Sequence, residues 1–340
     1  MAYDLRSDTI TKPTEPMRKA MYEAEVGDDV YGEDPTVNKL QEMACKITGK
    51  EAALFVSSGS MGNLIPIYLN CGRGNEVLAH ERAHILNNEL ASLAAIAGAM
   101  PVPVPGDRGI LKPEQLELRV RPDIYYMPRT RMVEVENTHN AEGGNFYQLE
   151  ELREVAAFAK KHRLSLHMDG ARLFNAAVAL DVAAAKITTF ADTVSFCLSK
   201  GLGAPVGSLL CGAQKFIDDA RRVRKMLGGG MRQAGVLAAA GVYALENNID
   251  RLTEDHENAR LIAEALVDAK WASLDIGSVR TNIIFFDTPN TTAAEVAAAL
   301  EKKGVLCQPS APYQIRMVTS LAISTKDAAK ICQVIRGLRL

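Results

Sequence analysis

No apolar run in this 340-residue sequence is long enough to cross a membrane. A spanning helix needs about eighteen uncharged positions or more, and the nearest stretch, Leu90 to Pro105, is broken by glycine and proline. Charge of one sign is also missing. A formal net charge of −2 gives no electrostatic case for nucleic acid or an anionic membrane as partner. The six cysteines are scattered without a C-x-x-C pair, which predicts reduced thiols in a cytosolic setting rather than a disulfide frame. The six histidines show no metal-ligand spacing, so no metal is expected. The start, MAYDLRSDT, carries charges where a signal peptide needs an apolar core. The expectation is a soluble, cytoplasmic protein.

What is present is an ordinary globular composition, 47% hydrophobic and 24% charged. The length exceeds the roughly 250–300 residues at which single cores stop growing, so two units are expected. Short apolar runs that read as strands alternate with amphipathic helices. Strands are predicted at Ala52–Val56, Glu76–Ala79, Pro101–Pro105, Ile124–Tyr126, Arg131–Glu136, Leu164–Met168, Thr193–Ser199 and Ser208–Cys211. Helices are predicted at Val37–Gly49, Leu64–Leu69, Leu149–His162 and Phe216–Lys225. That alternation predicts an α/β fold with a mainly parallel, helix-covered sheet. Beyond a mostly helical stretch, Ala234–Lys270, the remainder reads as a smaller α+β unit. Composition places the boundary near Asn248, giving 1–248 and 249–340.

Several residues stand where such a sheet places ligands, at the carboxyl ends of its strands. Asp169 closes one strand and makes an Asp-Gly turn; the next strand delivers Lys200 into a turn of Gly201, Gly203 and Pro205. A lysine held between apolar flanks loses hydration, which favours the neutral amine that can attack a carbonyl. Ser57 to Asn63 is a small-residue turn between strand and helix, a geometry that aims backbone N–H groups at an anion. It matches neither a G-x-G-x-x-G nor a Walker loop. His80 and His84, four apart, would share a face if that segment is helical. Arg316 interrupts an apolar strand, where it is either paired with an anion or exposed on an edge. A basic helix runs into the triplet Gly228-Gly229-Gly230, and the acidic loop Gly27–Pro35 carries Tyr31. A cofactor bearing both a phosphate and a ring nitrogen would unite these pieces; spacing permits it without proving it.

In order along nearly the whole chain, the segments DLRSDT, GDDVYGEDP, GKEAALFVSSGSMGN, ENTHN, HMDGARLFNA, CLSKGLGAPVGSLL and RKMLGGGMRQAG resemble the low-specificity L-threonine aldolases. These are pyridoxal phosphate enzymes of the aspartate-aminotransferase fold, fold type I. The resemblance implies retro-aldol cleavage of L-threonine or L-allo-threonine to glycine and acetaldehyde. It makes Lys200 the Schiff-base lysine, Asp169 the partner of the pyridine nitrogen, and Gly59, Ser60 and Met61 the phosphate cup. His84 falls where the family stacks a histidine on the cofactor, and it is the expected base for the β-hydroxyl proton. Ser7, Arg172 and Arg316 match the groups holding the substrate carboxylate. Tyr31, Lys225 and Arg232 are expected to reach a neighbouring subunit's site, which implies a homotetramer. The chain departs from the family pattern at Tyr126, where a histidine near the substrate hydroxyl is usual. It departs also at Asn87 and Asn88, in place of aromatic residues, and at Ser320, in place of histidine. A tyrosine is a poorer neutral-pH base, so diastereomer preference is open at Tyr126. The competing readings are a racemase or other Cα-bond chemistry on the same cofactor, and a non-catalytic pyridoxal phosphate carrier.

Overall fold

A computed structural model describes residues 2–339 of the chain. Seven strands form the main sheet: β2 (Ala52–Val56), β3 (Glu76–His80), β4 (Met100–Val104), β5 (Thr130–Glu136), β6 (Ser165–Asp169), β7 (Thr193–Cys197) and β8 (Ser208–Gly212). Their order is β2-β8-β7-β6-β5-β3-β4. Every pairing is parallel except those of β8, which runs against both β2 and β7. β8 alone is reversed, so β2, β3, β5, β6 and β7 all point their carboxyl ends at one edge. The strands β2, β3, β7 and β8 are buried along their whole length, which is why they read as continuous apolar runs rather than alternating ones.

The helices follow local rules. Asp34 caps Pro35–Thr48 by accepting from the Thr36 and Val37 amides, and Gly49 ends that helix in the left-handed region at φ 67°. The same Asp34 carboxylate accepts from the Gly235 amide at 2.8 Å, tying this helix to Gly235–Asn247. Ser58 caps Gly59–Asn70, so that helix begins at the small-residue turn itself rather than at Leu64.

The small unit has a three-stranded antiparallel sheet, β11 (Gln308–Ala311), β12 (Gln314–Val318) and β9 (Ile283–Asp287), with β12 central. Its core gathers Ile262, Leu266, Phe286, Met317 and Ile331. β1 (Tyr3–Asp4) pairs in parallel with β10 (Val305–Leu306), and Leu5 enters this same core. The amino-terminal arm thus straps onto the C-terminal unit. We propose 1–248, arm included, and 249–340 as the two units.

Two local expectations fail. Ile124–Tyr126 is a turn, not a strand; its side chains are exposed, Tyr126 at 67%, so no face is buried to hold it extended. The strand β3 continues to His80, and His84 opens a separate short helix, His84–Asn87. The two histidines therefore do not share a helix face.

Candidate active site

The carboxyl edge of the sheet collects two clusters of opposite charge. The first is anionic. Asp169, at the end of β6, is 2% exposed and accepts from the Ala171 amide at 3.0 Å and from Asn63 Nδ2 at 2.7 Å. Glu89 accepts from the same Asn63 nitrogen at 3.0 Å and from His84 Nδ1 at 2.8 Å. Glu136, ending β5, accepts from the His84 amide at 2.9 Å and the Asn140 amide at 2.8 Å. Burial would raise the Asp169 carboxyl, but the charges of His84 and Lys200 and the Ala171 amide hold it below the usual carboxylate range. Burial and the neighbouring Asp169 push Glu136 up instead. Burial disfavours a charged His84, yet the Glu89 hydrogen bond and the charges of Asp169 and Glu136 outweigh it and raise its pKa.

The second cluster is cationic. Asp8 pairs with Arg172 through two bonds, Nε to Oδ2 at 2.6 Å and Nη2 to Oδ1 at 2.7 Å. Burial would raise the Asp8 carboxyl, but Arg172, with Lys200 and Arg316 also acting on it, holds it at about 2. Asn140 Oδ1 accepts from Arg172 Nη1 at 3.1 Å and Arg316 Nη2 at 2.7 Å, bridging the two guanidiniums. Burial and the charge of Arg172 push Arg316 down to about 10, and its Nε is buried without a partner. Three cations thus act on one carboxylate, and a buried donor waits for another acceptor. Ser7 caps the short turn beside Asp8, its Oγ accepting from the Thr9 amide at 3.2 Å. Lys200 follows β7 in a turn closed by the Gly203 amide on its carbonyl at 2.9 Å, with Gly203 at φ 80°. It is half-buried rather than sealed among apolar groups.

The small-residue turn completes this edge. Met61's amide is already taken by Ser58 Oγ at 3.2 Å, so the Gly59 and Ser60 amides are the open donors of the first helical turn. A Cβ at Gly59 would stand 2.8 Å from Cys197 Sγ, so only glycine lets this turn lie against β7. Residue types and charges fit pyridoxal phosphate. Amides at a helix start suit its phosphate, a buried low-pKa carboxylate suits its ring nitrogen, and a half-buried lysine stands by for its aldehyde. His84, Glu89 and Asp169 offer ligand atoms within 4.8 Å of one another. The Asn63 amide hydrogens occupy the space between the two carboxylates, where a cation would have to sit.

His84, Asp169, Lys200, Arg172 and Arg316 therefore converge, with Ser7 and the Gly59–Met61 turn on the same edge. The remaining expected site residues do not join them within one chain. Arg232 bonds Asp28 at 3.1 Å, Tyr31 is 75% exposed in that same acidic loop, and Lys225 packs at Gly230. Val30, Arg221, Arg222, Lys225 and Gly230 line an open basic cavity of about 510 Å³ there. Tyr126 packs edge-on against Tyr125 at 5.2 Å. Asp8, Asn63, Glu89, Glu136 and Asn140 were not anticipated from the sequence. The ENTHN, DLRSDT and GKEAALFVSSGSMGN segments contain four of them, Glu136, Asn140, Asp8 and Asn63, but nothing in the spacing marks their partners.

The Beta-eliminating lyase family model matches residues 4–289. Low-specificity L-threonine aldolase 1 of Arabidopsis thaliana is 45% identical over 331 residues, 95% of this chain and 92% of that protein. The chain belongs to this family. The Escherichia coli K12 low specificity L-threonine aldolase is 43% identical over 329 residues, covering 96% of each chain. Threonine aldolase of Leishmania major has the same fold, with a TM-score of 0.84 at 22% identity over 98% of both chains. The edge described above is where β5, β6 and β7 deliver their polar residues.

Proposed function

We propose that this chain is a carbon–carbon lyase that cleaves the Cα–Cβ bond of L-threonine and L-allo-threonine, giving glycine and acetaldehyde, with pyridoxal phosphate as cofactor. Relatives of that activity at 43–45% identity over nearly the full length support the reading, as does the family's cofactor chemistry. The observation that carries it is the polarised edge: an anionic cluster around Asp169 beside a cationic cluster around Asp8. The cationic end would hold the carboxylate of a zwitterionic amino acid, and the anionic end would hold a protonated ring nitrogen.

Pyridoxal phosphate, when bound, supplies an aldehyde that the substrate amine engages and a protonated ring that accepts the electron pair of the breaking bond. Lys200 is the amine that holds the cofactor aldehyde between turnovers. Asp169 keeps the proton on the ring nitrogen, because a buried carboxylate held below its usual range stays charged beside it. The turn Gly59–Met61 would cradle the phosphate, the Gly59 and Ser60 amides being its open donors. Arg172 and Arg316 bind the substrate carboxylate with Ser7, the free Nε of Arg316 being the open donor. His84 would face the cofactor ring and would take the β-hydroxyl proton at Nε2, its Nδ1 being committed to Glu89. Tyr126, which lies outside the converged cluster of a single chain, stands where the family pattern has a histidine and is assigned the preference between diastereomers. Tyr31, Lys225 and Arg232 complete the site of a neighbouring copy in a homotetramer, which explains why they lie apart from Lys200 in a single chain.

The test is acetaldehyde release from L-threonine by purified protein with added pyridoxal phosphate. Release is expected from the wild type and not from Lys200→Ala. No release from wild type that has visibly bound the cofactor would contradict the reading.

A further inference from the structure

One residue holds the anionic end together, and no feature of the motifs singles it out. Asn63 lies on the first turns of Gly59–Asn70 and is 2% exposed. Its Nδ2 donates to Asp169 Oδ2 at 2.7 Å and to Glu89 Oε1 at 3.0 Å. Its Oδ1 accepts from Ser195 Oγ at 2.8 Å and faces His167 Nε2 at 3.2 Å. A side-chain amide has two donor hydrogens and two acceptor sites, and here all four are engaged. The orientation is decided by chemistry: two carboxylates accept and cannot donate, so the nitrogen must face them. With Oδ1 as acceptor, His167 carries its proton on Nε2, and its Nδ1 accepts from Thr193 Oγ1 at 2.9 Å.

The consequence concerns charge. Asp169 and Glu89 are both buried, and two carboxylates this close repel one another unless donors lie between them. Asn63 supplies those donors, one hydrogen to each. Through Glu89, the same amide reaches His84 Nδ1. A single neutral side chain thus connects the carboxylate meant for the ring nitrogen with the imidazole meant to stack on the ring.

We propose that Asn63 is a positioning residue that joins Asp169 and Glu89–His84 into one hydrogen-bonded unit, so that the two cofactor-facing groups are oriented and charged together. This rests on the pyridoxal phosphate reading above. The groups facing His84 are Glu89, Asp169 and Glu136; those facing Asp169 are His84, Lys200 and His167. Glu134, buried on β5 two residues before Glu136, adds a further carboxyl whose pKa burial raises well above the ordinary value.

The experiment compares wild type, Asn63→Asp and Asn258→Ala. Asn258 is a second buried asparagine, in the C-terminal unit, donating to the Ile323 carbonyl at 3.0 Å. It controls for plain loss of stability. Three quantities are read: cofactor affinity by titration with pyridoxal phosphate, the His84 titration midpoint by histidine NMR in cofactor-free protein, and Tm. Asn63→Asp keeps the shape but can offer at most one hydrogen, so cofactor affinity is expected to fall roughly 10- to 100-fold, the usual worth of a hydrogen bond to a charged group. The His84 midpoint is expected to move from its wild-type value, because the substitution removes the donor that ties Glu89 to Asp169. Asn258→Ala is expected to lower Tm while leaving both other quantities at wild-type values. Wild-type cofactor affinity together with a wild-type His84 midpoint in Asn63→Asp overturns the proposal. If Asn63→Asp does not fold, Asn63→Ser takes its place, where reduced cofactor affinity supports the proposal and wild-type affinity overturns it. Wild type that binds no pyridoxal phosphate sinks the cofactor reading instead, and the His84 midpoint in cofactor-free protein still decides the role of Asn63.

Discussion

Two polar regions of this chain differ in how completely they satisfy themselves. At the carboxyl edge of the sheet, Asp8, Asn63, Asp169 and Arg172 are each 5% exposed or less, and each has its partner within the chain. Around the acidic loop, Tyr31 is 75% exposed, Arg232 holds only Asp28, and Arg221, Arg222 and Lys225 line an open basic cavity. In the first region the main charged groups are paired, and the donor left buried without a partner beside the Asp8–Arg172 pair is the Nε of Arg316. In the second, Arg224 and Arg232 pair with Asp29 and Asp28, while Arg221, Arg222 and Lys225 form no ion pair among the described residues. The contrast teaches that burial and saturation mark the half of a site that one chain builds. On the shared-site proposal, exposed charge in a family motif marks the half that one chain would lend to a neighbouring copy.

The comparison can be broken at its buried side first. Asp169→Asn preserves shape and removes the charge that keeps the ring nitrogen protonated, and kcat is expected to fall about 10²–10³-fold or more. A loss under tenfold in steady-state kinetics would take Asp169 out of that role. Next in size is the gap in the cationic cluster. Arg316→Ala should raise KM for threonine roughly 10- to 100-fold with a smaller change in kcat. An unchanged KM would place the substrate carboxylate elsewhere.

The pH dependence of kcat/KM sharpens the role of His84. Burial opposes its charge, but Glu89, Asp169 and Glu136 raise its pKa above the ordinary 6.5. The base form is the neutral imidazole, so activity is expected to fall as pH drops through a midpoint above 6.5. Glu89→Gln should move that midpoint down; a midpoint unmoved by the substitution would separate the base from His84.

The smallest effect is on stability. Burial, with a further push from His80, holds His139 at about 3, and burial holds His167 and His256 at about 4. Each is lower folded than its ordinary 6.5, so the unfolded chain binds more protons between those values. Stability present above pH 6.5 is expected to be lost gradually as pH falls toward 4, read as declining Tm. A Tm that holds constant over that window would contradict the neutral buried imidazoles.

Much of this was legible in the residues. The strands ending in Asp169 and preceding Lys200 read correctly because both are apolar runs stopped by Gly-rich turns, signals that are local. The turn before Asn63 read as the link between a strand and a helix because the two are contiguous in sequence. What could not be read were partners. Asp8 meets Arg172, and Asn63 meets Asp169 and Ser195, across most of the large unit, and only tertiary packing makes those pairs. Ile124–Tyr126 misled for the related reason: β-favouring side chains make a strand only where a face is buried. Arg316 was left between an anion partner and an exposed edge; on the central strand β12, bridged to Arg172 by Asn140, it is neither bare nor yet fully paired.

The most direct test of the two-halves account is subunit complementation. Lys200→Ala and Arg232→Ala are each expected to be inactive in acetaldehyde release. Co-expressed and purified as mixed assemblies, they should recover a clear fraction of wild-type activity, because some sites pair an intact Lys200 with an intact Arg232 from another chain. Mixed assemblies no more active than the two parents would mean that one chain carries both halves itself.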